Sequence, residues 1–415
     1  MYDVLNFSDK IKEIDRAAIK RAAPYFERAE NIAQANSARV MNAFWSEKAA
    51  LSHLSGSTGY GYGDTGRDTL DRIYAKALEC EDAVVRPQII SGTHALTIAL
   101  FGLLRPGDTL LSITGSPYDT LYDVIGINES SGSLKEYGIN YRELPLKDGG
   151  IDFDGIQSAI DSSVKVVFIQ KSKGYGDRLT LTGEQIGRAA ELVKKVRKDI
   201  IVLVDNCYGE FCEQHEPTYY GADVIVGSLI KNPGGGLART GGYIAGKKEL
   251  VEKCSYRLTT PGIGKESAAT RYYLSEFYQG LFMAPHTVLQ AVKTAVYAAQ
   301  VYKDLGYRVN PEPEHFRYDI IQTIYLQDAD RLIKFCAGIQ SGSPIDSFVT
   351  PEPWDMPGYD NKVIMAAGTF VEGASIELSA DAPLKPPYIV YLQGGLTFES
   401  GRIGILKSVE RLLEN

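Results

Sequence analysis

Lys231 lies in the run GSLIKNPGGG, four residues past an apolar stretch and just ahead of Asn232, Pro233 and three glycines. A lysine at the edge of a buried sheet can lose part of its hydration. That lowers its pKa and frees the amine as a nucleophile or base. The plainer alternative is a solvated loop lysine, since the chain has 44 basic residues. Ser228 offers a hydroxyl to the same region. Asp205 closes the run IIVLVDN, where a buried carboxylate is costly unless a cation or a hydrogen-bond donor meets it. A protonated ring nitrogen would meet it, and the carboxylate would raise that nitrogen's pKa by ~1–3 units. A helix cap or a turn would also satisfy it. In SGTHA (residues 91 to 95), small residues open a helix whose free N–H groups and positive dipole end suit a phosphate. Ser91 or Thr93 could equally be a simple helix cap. Tyr118, in SPYDT, could lie flat over a planar ligand or be one packed tyrosine among 26.

These residues need elements to carry them to one place. From residue 68 the chain alternates amphipathic stretches with short apolar runs. Helical RDTLDRIYAKALEC is followed by strand-like AVVRPQII, helical THALTIALFGLL, strand-like DTLLSI and a helix from about Tyr118. VKVVFIQ, GEQIGRAAELVKKVRK, DIIVLVDN, ADVIVGS and GGYIAG continue the alternation. Runs such as VVFI and IIVLV are apolar at successive positions, which predicts strands buried on both faces of a largely parallel, doubly wound α/β sheet. Ligands of such sheets gather at the carboxyl ends of the strands, which is where Lys231, Asp205, Ser228, Tyr118 and SGTHA fall. Residues 9 to 50 carry a helical period that Pro24 starts or interrupts. Two long helical stretches follow residue 265. Beyond Pro311 the strands DIIQTIYL, KVIMAAG, SIELS and YIVYLQ, with the helices DADRLIKFCAGIQ and RIGILKSVERLL, predict a smaller α+β domain. The proline-rich PEPWDMPGYDN (351 to 361) is expected to be a surface loop. The expected division is an N-terminal helical segment at 1–55, a large domain at 56–285, and a linking helix with a small C-terminal domain at 286–415.

The totals narrow the function classes. A net charge of -8 and a pI near 5.4 argue against a nucleic-acid partner. No run approaches the ~18 apolar residues of a membrane span, and the charged N-terminus lacks a signal-peptide core. Five scattered cysteines without a C-x-x-C pair, and five histidines without a ligand spacing, point to a reducing cytoplasm and no metal centre.

Phosphate loop, aromatic ring, carboxylate after a strand and lysine in a glycine-rich turn, in that order, resemble the fold-type-I pyridoxal-phosphate enzymes. More narrowly the chain is similar to their cystathionine/methionine gamma-lyase branch, and within it to the methionine gamma-lyase-like group labelled aluminium resistance proteins. The stretches that carry the resemblance are GSTGYGYGDTGRDTL, SGTHA and GSLIKNPGGG. It implies pyridoxal 5'-phosphate joined covalently to Lys231, with Asp205 on the pyridinium nitrogen. Gly92, Thr93 and Ser228 would bind the phosphate, Tyr118 would stack on the ring, and Arg402 would take the substrate carboxylate. A guanidinium fork suits a carboxylate bidentately, although an exposed arginine at a helix start is the alternative. The implied reaction is a β- or γ-elimination on a sulfur amino acid that yields a 2-oxo acid, ammonia and a thiol. Lys231 would act as the base, with Lys231 or Tyr118 moving further protons. The sequence departs from the better-known lyases at SPYDT, at the lysine segment and at His94, which bears on substrate more than on cofactor. A transaminase, aldolase or decarboxylase using the same cofactor is the first alternative. A non-covalent nucleotide- or sugar-phosphate-binding protein is the second.

Gly61, Gly63 and Gly66 in STGYGYGDTGR also spell G-x-G-x-x-G. A dinucleotide loop needs a buried strand leading in, and FWSEKAALSHLSG is polar and helical instead. The resemblance implies another use: a tyrosine, Tyr60 or Tyr62, and Arg67 would reach the phosphate of a neighbouring subunit's cofactor. It thereby implies a homo-oligomer, a dimer or a dimer of dimers, with shared active sites.

Overall fold

The computed structural model describes residues 1–356 and 361–414; the part of the expected surface loop at 357–360 lies outside the described residues. The chain divides into two compact units. One comprises Met1–Gln34 with Pro285–Asn415, the other Ala35–Ala284.

The larger unit is built on a seven-stranded sheet. Its strands are β1 (Asp82–Arg86), β2 (Thr109–Ser112), β3 (Asn140–Glu143), β4 (Val164–Gln170), β5 (Ile201–Asp205), β6 (Val224–Ser228) and β7 (Gly242–Gly246), in the order β1-β7-β6-β5-β4-β2-β3. Strands β3, β2, β4, β5 and β6 run parallel, and β7 pairs antiparallel with both β6 and β1. Val166, Phe168, Leu203 and Val226 point into one core with α3 (Gly92–Leu103) and α7 (Lys248–Leu258). The intervening Val167, Ile169, Val202, Val204 and Ile225 are buried too. Both faces are therefore covered, as the unbroken apolar runs require. Helices α2 (Thr65–Ala77) and α6 (Gly183–Val196) belong to this unit, and α6 opens with a capping box in which Thr182 and Gln185 satisfy each other's amides.

The smaller unit holds a five-stranded antiparallel sheet in the order β10-β11-β12-β9-β8. These strands are β8 (Arg308–Asn310), β9 (Ile321–Tyr325), β10 (Val363–Ala366), β11 (Ser379–Pro383) and β12 (Ile389–Gln393). Helices α9 (Ala329–Ser341) and α10 (Phe398–Leu413) pack on each other in this unit.

Several elements differ from the sequence expectation. Helix α1 (Asp9–Ser46) runs through Pro24 without a break, because Pro24 lies on the exposed face, where water can take the carbonyl that loses its donor. Helix α8 (Leu274–Asp304) likewise joins the two stretches expected after residue 265 and contains Pro285, although residues 267–273 of the first stretch are not helical. The unit boundaries fall inside these two helices, at 34/35 and 284/285. The helix expected from Tyr118 shrinks to a turn of 3-10 helix at 119–121 and the short α4 (Tyr122–Ile125), which Gly126 ends in the left-handed region. Strand β1 stops at Arg86 because Pro87 has no N–H to continue the ladder. SIELS is not a strand; its Glu377 carboxylate accepts the Phe370 and Val371 amides and closes a turn, and β11 begins only at Ser379. The edge strand β3, with the polar sequence NYRE, has no apolar run to announce it.

Candidate active site

Strand β5 delivers Asp205 to the carboxyl end of the sheet, in register with Gln170 of β4 and Val226 of β6. The Asp205 carboxylate is buried and accepts the Cys207 amide at 3.1 Å. Burial pushes its pKa up, while the Lys231 amine pulls it back. The next strand, β6, ends at Ser228, and Lys231 stands just beyond it in a loop that Asn232 fastens. The Asn232 side-chain amide donates to the Tyr208 carbonyl at 2.9 Å and to the Glu210 carbonyl at 3.0 Å. The glycine run after Lys231 is a packing requirement. A Cβ on Gly234 would sit 1.8 Å from the Leu229 carbonyl oxygen.

The Lys231 amine lies 4.0 Å from the centroid of the Tyr208 ring. Burial works to lower its pKa, but the acidic groups of Cys207, Tyr208 and Asp205 outweigh that and hold it above the ordinary lysine value. Behind this lysine, Glu210 is fully buried. Its Oε1 accepts from the Tyr243 hydroxyl at 2.8 Å, and burial raises its pKa to about 8.

Helix α3 closes the site from the other side. Ser91 caps it by accepting the His94 amide at 3.0 Å, so Ser91 is the cap that the sequence allowed. The first-turn amides of Gly92 and Thr93 have no acceptor within the helix. Gly92 packs so closely that a Cβ there would lie 2.9 Å from Cys207 Sγ and 3.8 Å from Ser228 Cβ. One glycine thus joins the start of α3, the turn after β5 and the end of β6. Ser228 Oγ is buried there without a hydrogen-bond partner.

The family model described as methionine gamma-lyase matches residues 11–413. The chain belongs to this family. An uncharacterized protein YnbB of Bacillus subtilis is 49% identical over 417 residues, covering 100% of this chain and 99% of that one. A carbon-sulfur lyase involved in aluminum resistance from Clostridium novyi NT is 50% identical with a TM-score of 0.95, covering 99% and 98% of the two chains. At 17% identity and a TM-score of 0.58, a Campylobacter jejuni chain crystallised with N'-pyridoxyl-lysine-5'-monophosphate shares the fold, with 83% and 85% covered. The fold is that of the fold-type-I pyridoxal-phosphate enzymes, and the cofactor of the family is pyridoxal 5'-phosphate.

The residues present fit that cofactor. The unpartnered Ser228 hydroxyl and the free first-turn amides of α3 form a cradle for a phosphate, which a Cβ on Gly92 would fill. Asp205 could hold a ring nitrogen, and Lys231 lies within its electrostatic reach. Of the residues singled out in the sequence, Lys231, Asp205, Ser228 and Gly92 are brought together. Thr93 turns its hydroxyl to Thr120, at 2.9 Å, tying α3 to the segment that holds Tyr118. The Tyr118 amide donates to Gln170 Oε1 at 2.8 Å, and its ring packs edge-on to Tyr175 at 5.6 Å.

The glycine loop lies between a 3-10 turn (Leu51–Leu54) and α2, with no strand leading in, so the dinucleotide reading fails on structure. Its Tyr60 and Tyr62 are 76% and 60% exposed and stack on each other at 5.6 Å. Arg67 is fully buried and braces the loop from within, donating to the Gly61 carbonyl at 2.8 Å and to Asp68 at 2.9 Å. Arg402, in the smaller unit, pairs with Asp15 through Nε at 2.7 Å and Nη2 at 2.5 Å, with the Tyr297 hydroxyl on the same carboxylate at 2.6 Å. Sequence reasoning passed over Cys207, Tyr208 and Glu210. The signal lay in the polar run NCYGE directly behind the apolar strand.

Proposed function

We propose that the protein is a carbon-sulfur lyase that releases a thiol from a sulfur amino acid of the cystathionine or methionine kind, leaving a 2-oxo acid and ammonia. The observation that carries this reading is the meeting of the Lys231 amine, the buried Asp205 and the unpartnered Ser228 hydroxyl at neighbouring strand ends. Family membership and the carbon-sulfur lyase named among its relatives support the choice of reaction.

Ser228 and the α3 amides would hold the phosphate, and Asp205 would hold the ring nitrogen protonated, since a buried carboxylate needs a cationic partner. When bound, the cofactor supplies an electron sink for the charge left on the substrate's α-carbon. Lys231 is the residue assigned to take the α-proton, and its acidic neighbours favour the protonated form it then adopts. Loss of sulfur from the β-carbon needs this single abstraction; loss from the γ-carbon needs a second at the β-carbon. Arg402 is assigned to the substrate carboxylate, in which role its bidentate pairing with Asp15 competes for the same fork.

We also propose that two copies of the chain share their sites, with Tyr60 or Tyr62 reaching the neighbour's phosphate. Their exposure on a loop braced by Arg67 supports this. Keto-acid and thiol release, measured with cystathionine, methionine and cysteine, tests the reaction. Borohydride should trap a stable adduct on Lys231. Protein that yields the adduct but no thiol from any of the three would shift the reading to transamination, aldol cleavage or decarboxylation. Protein that yields no adduct would favour non-covalent phosphate binding.

A further inference from the structure

Tyr208 lies three residues beyond Asp205 and adopts a left-handed backbone conformation with φ of 73°. A bulky L-residue seldom takes that conformation, and it persists only where the surroundings fix it. Here the Asn232 amide holds the Tyr208 carbonyl at 2.9 Å, so the residue next to Lys231 clamps the strained one. The Cys212 thiol donates to the same carbonyl at 3.4 Å. The result is a phenol ring whose centroid is 4.0 Å from the Lys231 amine, with the hydroxyl interacting with that amine as well. Tyr118, the phenol that the family resemblance offers for proton transfer, is packed edge-on to Tyr175.

We propose that Tyr208 is the proton relay between Lys231 and the departing sulfur. This rests on the lyase reading above and deepens it. For a sulfur on the β-carbon, Lys231 takes the proton from the substrate's α-carbon, and the electron pair of that C–H bond becomes the second bond between the α- and β-carbons. The C–S bond breaks with its pair going to sulfur, the Tyr208 hydroxyl gives its proton to that sulfur, and Lys231 returns the α-proton to the phenolate oxygen. One C–H and one C–S bond are lost, one S–H and one C–C bond are gained, and both side chains end as they began. The backbone strain at Tyr208 aims the ring at the amine.

The test uses the full-length, cofactor-loaded protein and the variant Tyr208→Phe, which keeps the ring and removes the hydroxyl. Three quantities are read: deuterium exchange from solvent into the substrate's α-position, thiol release, and the pH at which the bound cofactor's visible absorption titrates. The expected result is exchange within about twofold of the unsubstituted protein and thiol release lower by about 100-fold, the size of a lost acid catalyst. The absorption midpoint should also move to lower pH, because the hydroxyl that favours a proton on the lysine nitrogen is gone. Equal losses of exchange and thiol release, or no loss of either, would overturn the relay. Should Tyr208→Phe fold poorly, Tyr208→Asn tolerates the left-handed conformation, lacks the phenol, and must show the same split. If the unsubstituted protein releases no thiol from any sulfur amino acid, the lyase reading fails on its own. An unmoved absorption midpoint in Tyr208→Phe would then also sink the Lys231–Tyr208 contact.

Discussion

At the scale of single residues, the site is a set of ionisable groups that burial pushes in different directions. Asp205 is pulled toward its neutral form by burial and back by Lys231, so its charge depends on a cationic partner. Asp205→Asn should leave the fold intact, weaken retention of the cofactor on dialysis, and lower turnover by at least about 100-fold, because a neutral amide cannot hold a ring proton. Spectrophotometric titration of the variant with pyridoxal phosphate checks this. Glu210 allows a pH prediction. Its pKa rises from 4.5 to about 8 on folding, so the folded chain binds this proton more tightly than the unfolded chain. Its contribution to stability is fully present below pH 4.5 and is lost as pH climbs toward 8, at about 1.4 kcal/mol per pH unit. Tyr243, Tyr74, Glu216, Cys207 and Lys231 are the titratable groups that act on it or feel it. Glu210→Gln, which cannot ionise, should therefore flatten the decline in melting temperature between pH 5 and pH 8. A decline parallel to that of the unsubstituted protein would refute the assignment.

At the scale of elements, the site depends on how tightly neighbouring pieces approach. Gly92 opens α3 directly against Cys207 Sγ and Ser228. Gly92→Ala places a methyl group 2.9 Å from that sulfur, in the cradle itself. Cofactor affinity should drop by at least about tenfold with only a small change in melting temperature, as read from fluorescence titration and thermal denaturation. Phe168 gives the opposite case. It lies fully buried on β4, within the core between the sheet and α3. Phe168→Ala should cost about 3–5 kcal/mol of stability in denaturant melts while leaving cofactor affinity per folded molecule unchanged.

For the whole molecule, shared sites make a prediction of their own. Under the proposed sharing, the exposed pair Tyr60 and Tyr62 would serve a neighbour's cofactor and Lys231 would serve its own. A Lys231→Ala chain and a Tyr60→Ala/Tyr62→Ala chain should each be nearly inactive. Refolded together in equal amounts, they should recover about a quarter of normal activity, because half of randomly formed dimers are hybrids with one intact site. Mixtures no more active than their parents would show that the tyrosines act within their own chain or not at all. Among the described residues no helix is long and apolar enough to cross a membrane.

The sequence by itself determined the sheet and the chain positions of its chemistry. Five-residue apolar runs such as IIVLV leave a strand no exposed face, and the polar Asp205 that ends the run must then lie at the strand's carboxyl end. That logic places Asp205, Ser228 and Lys231 at one rim of the sheet. Tertiary structure alone decided the contacts between side chains that are remote in sequence. Gly92 against Cys207 and Arg402 against Asp15 bring together residues more than a hundred positions apart, and no local pattern encodes such distances. The uninterrupted helices through Pro24 and Pro285 were hidden for a related reason. Propensity penalises proline inside a helix, and only the fold shows that Pro24 lies on an exposed face, where water can take the freed carbonyl. The strained Tyr208 was illegible too, since a left-handed tyrosine is held there by Asn232, whose amide reaches it only once β5 and β6 lie side by side.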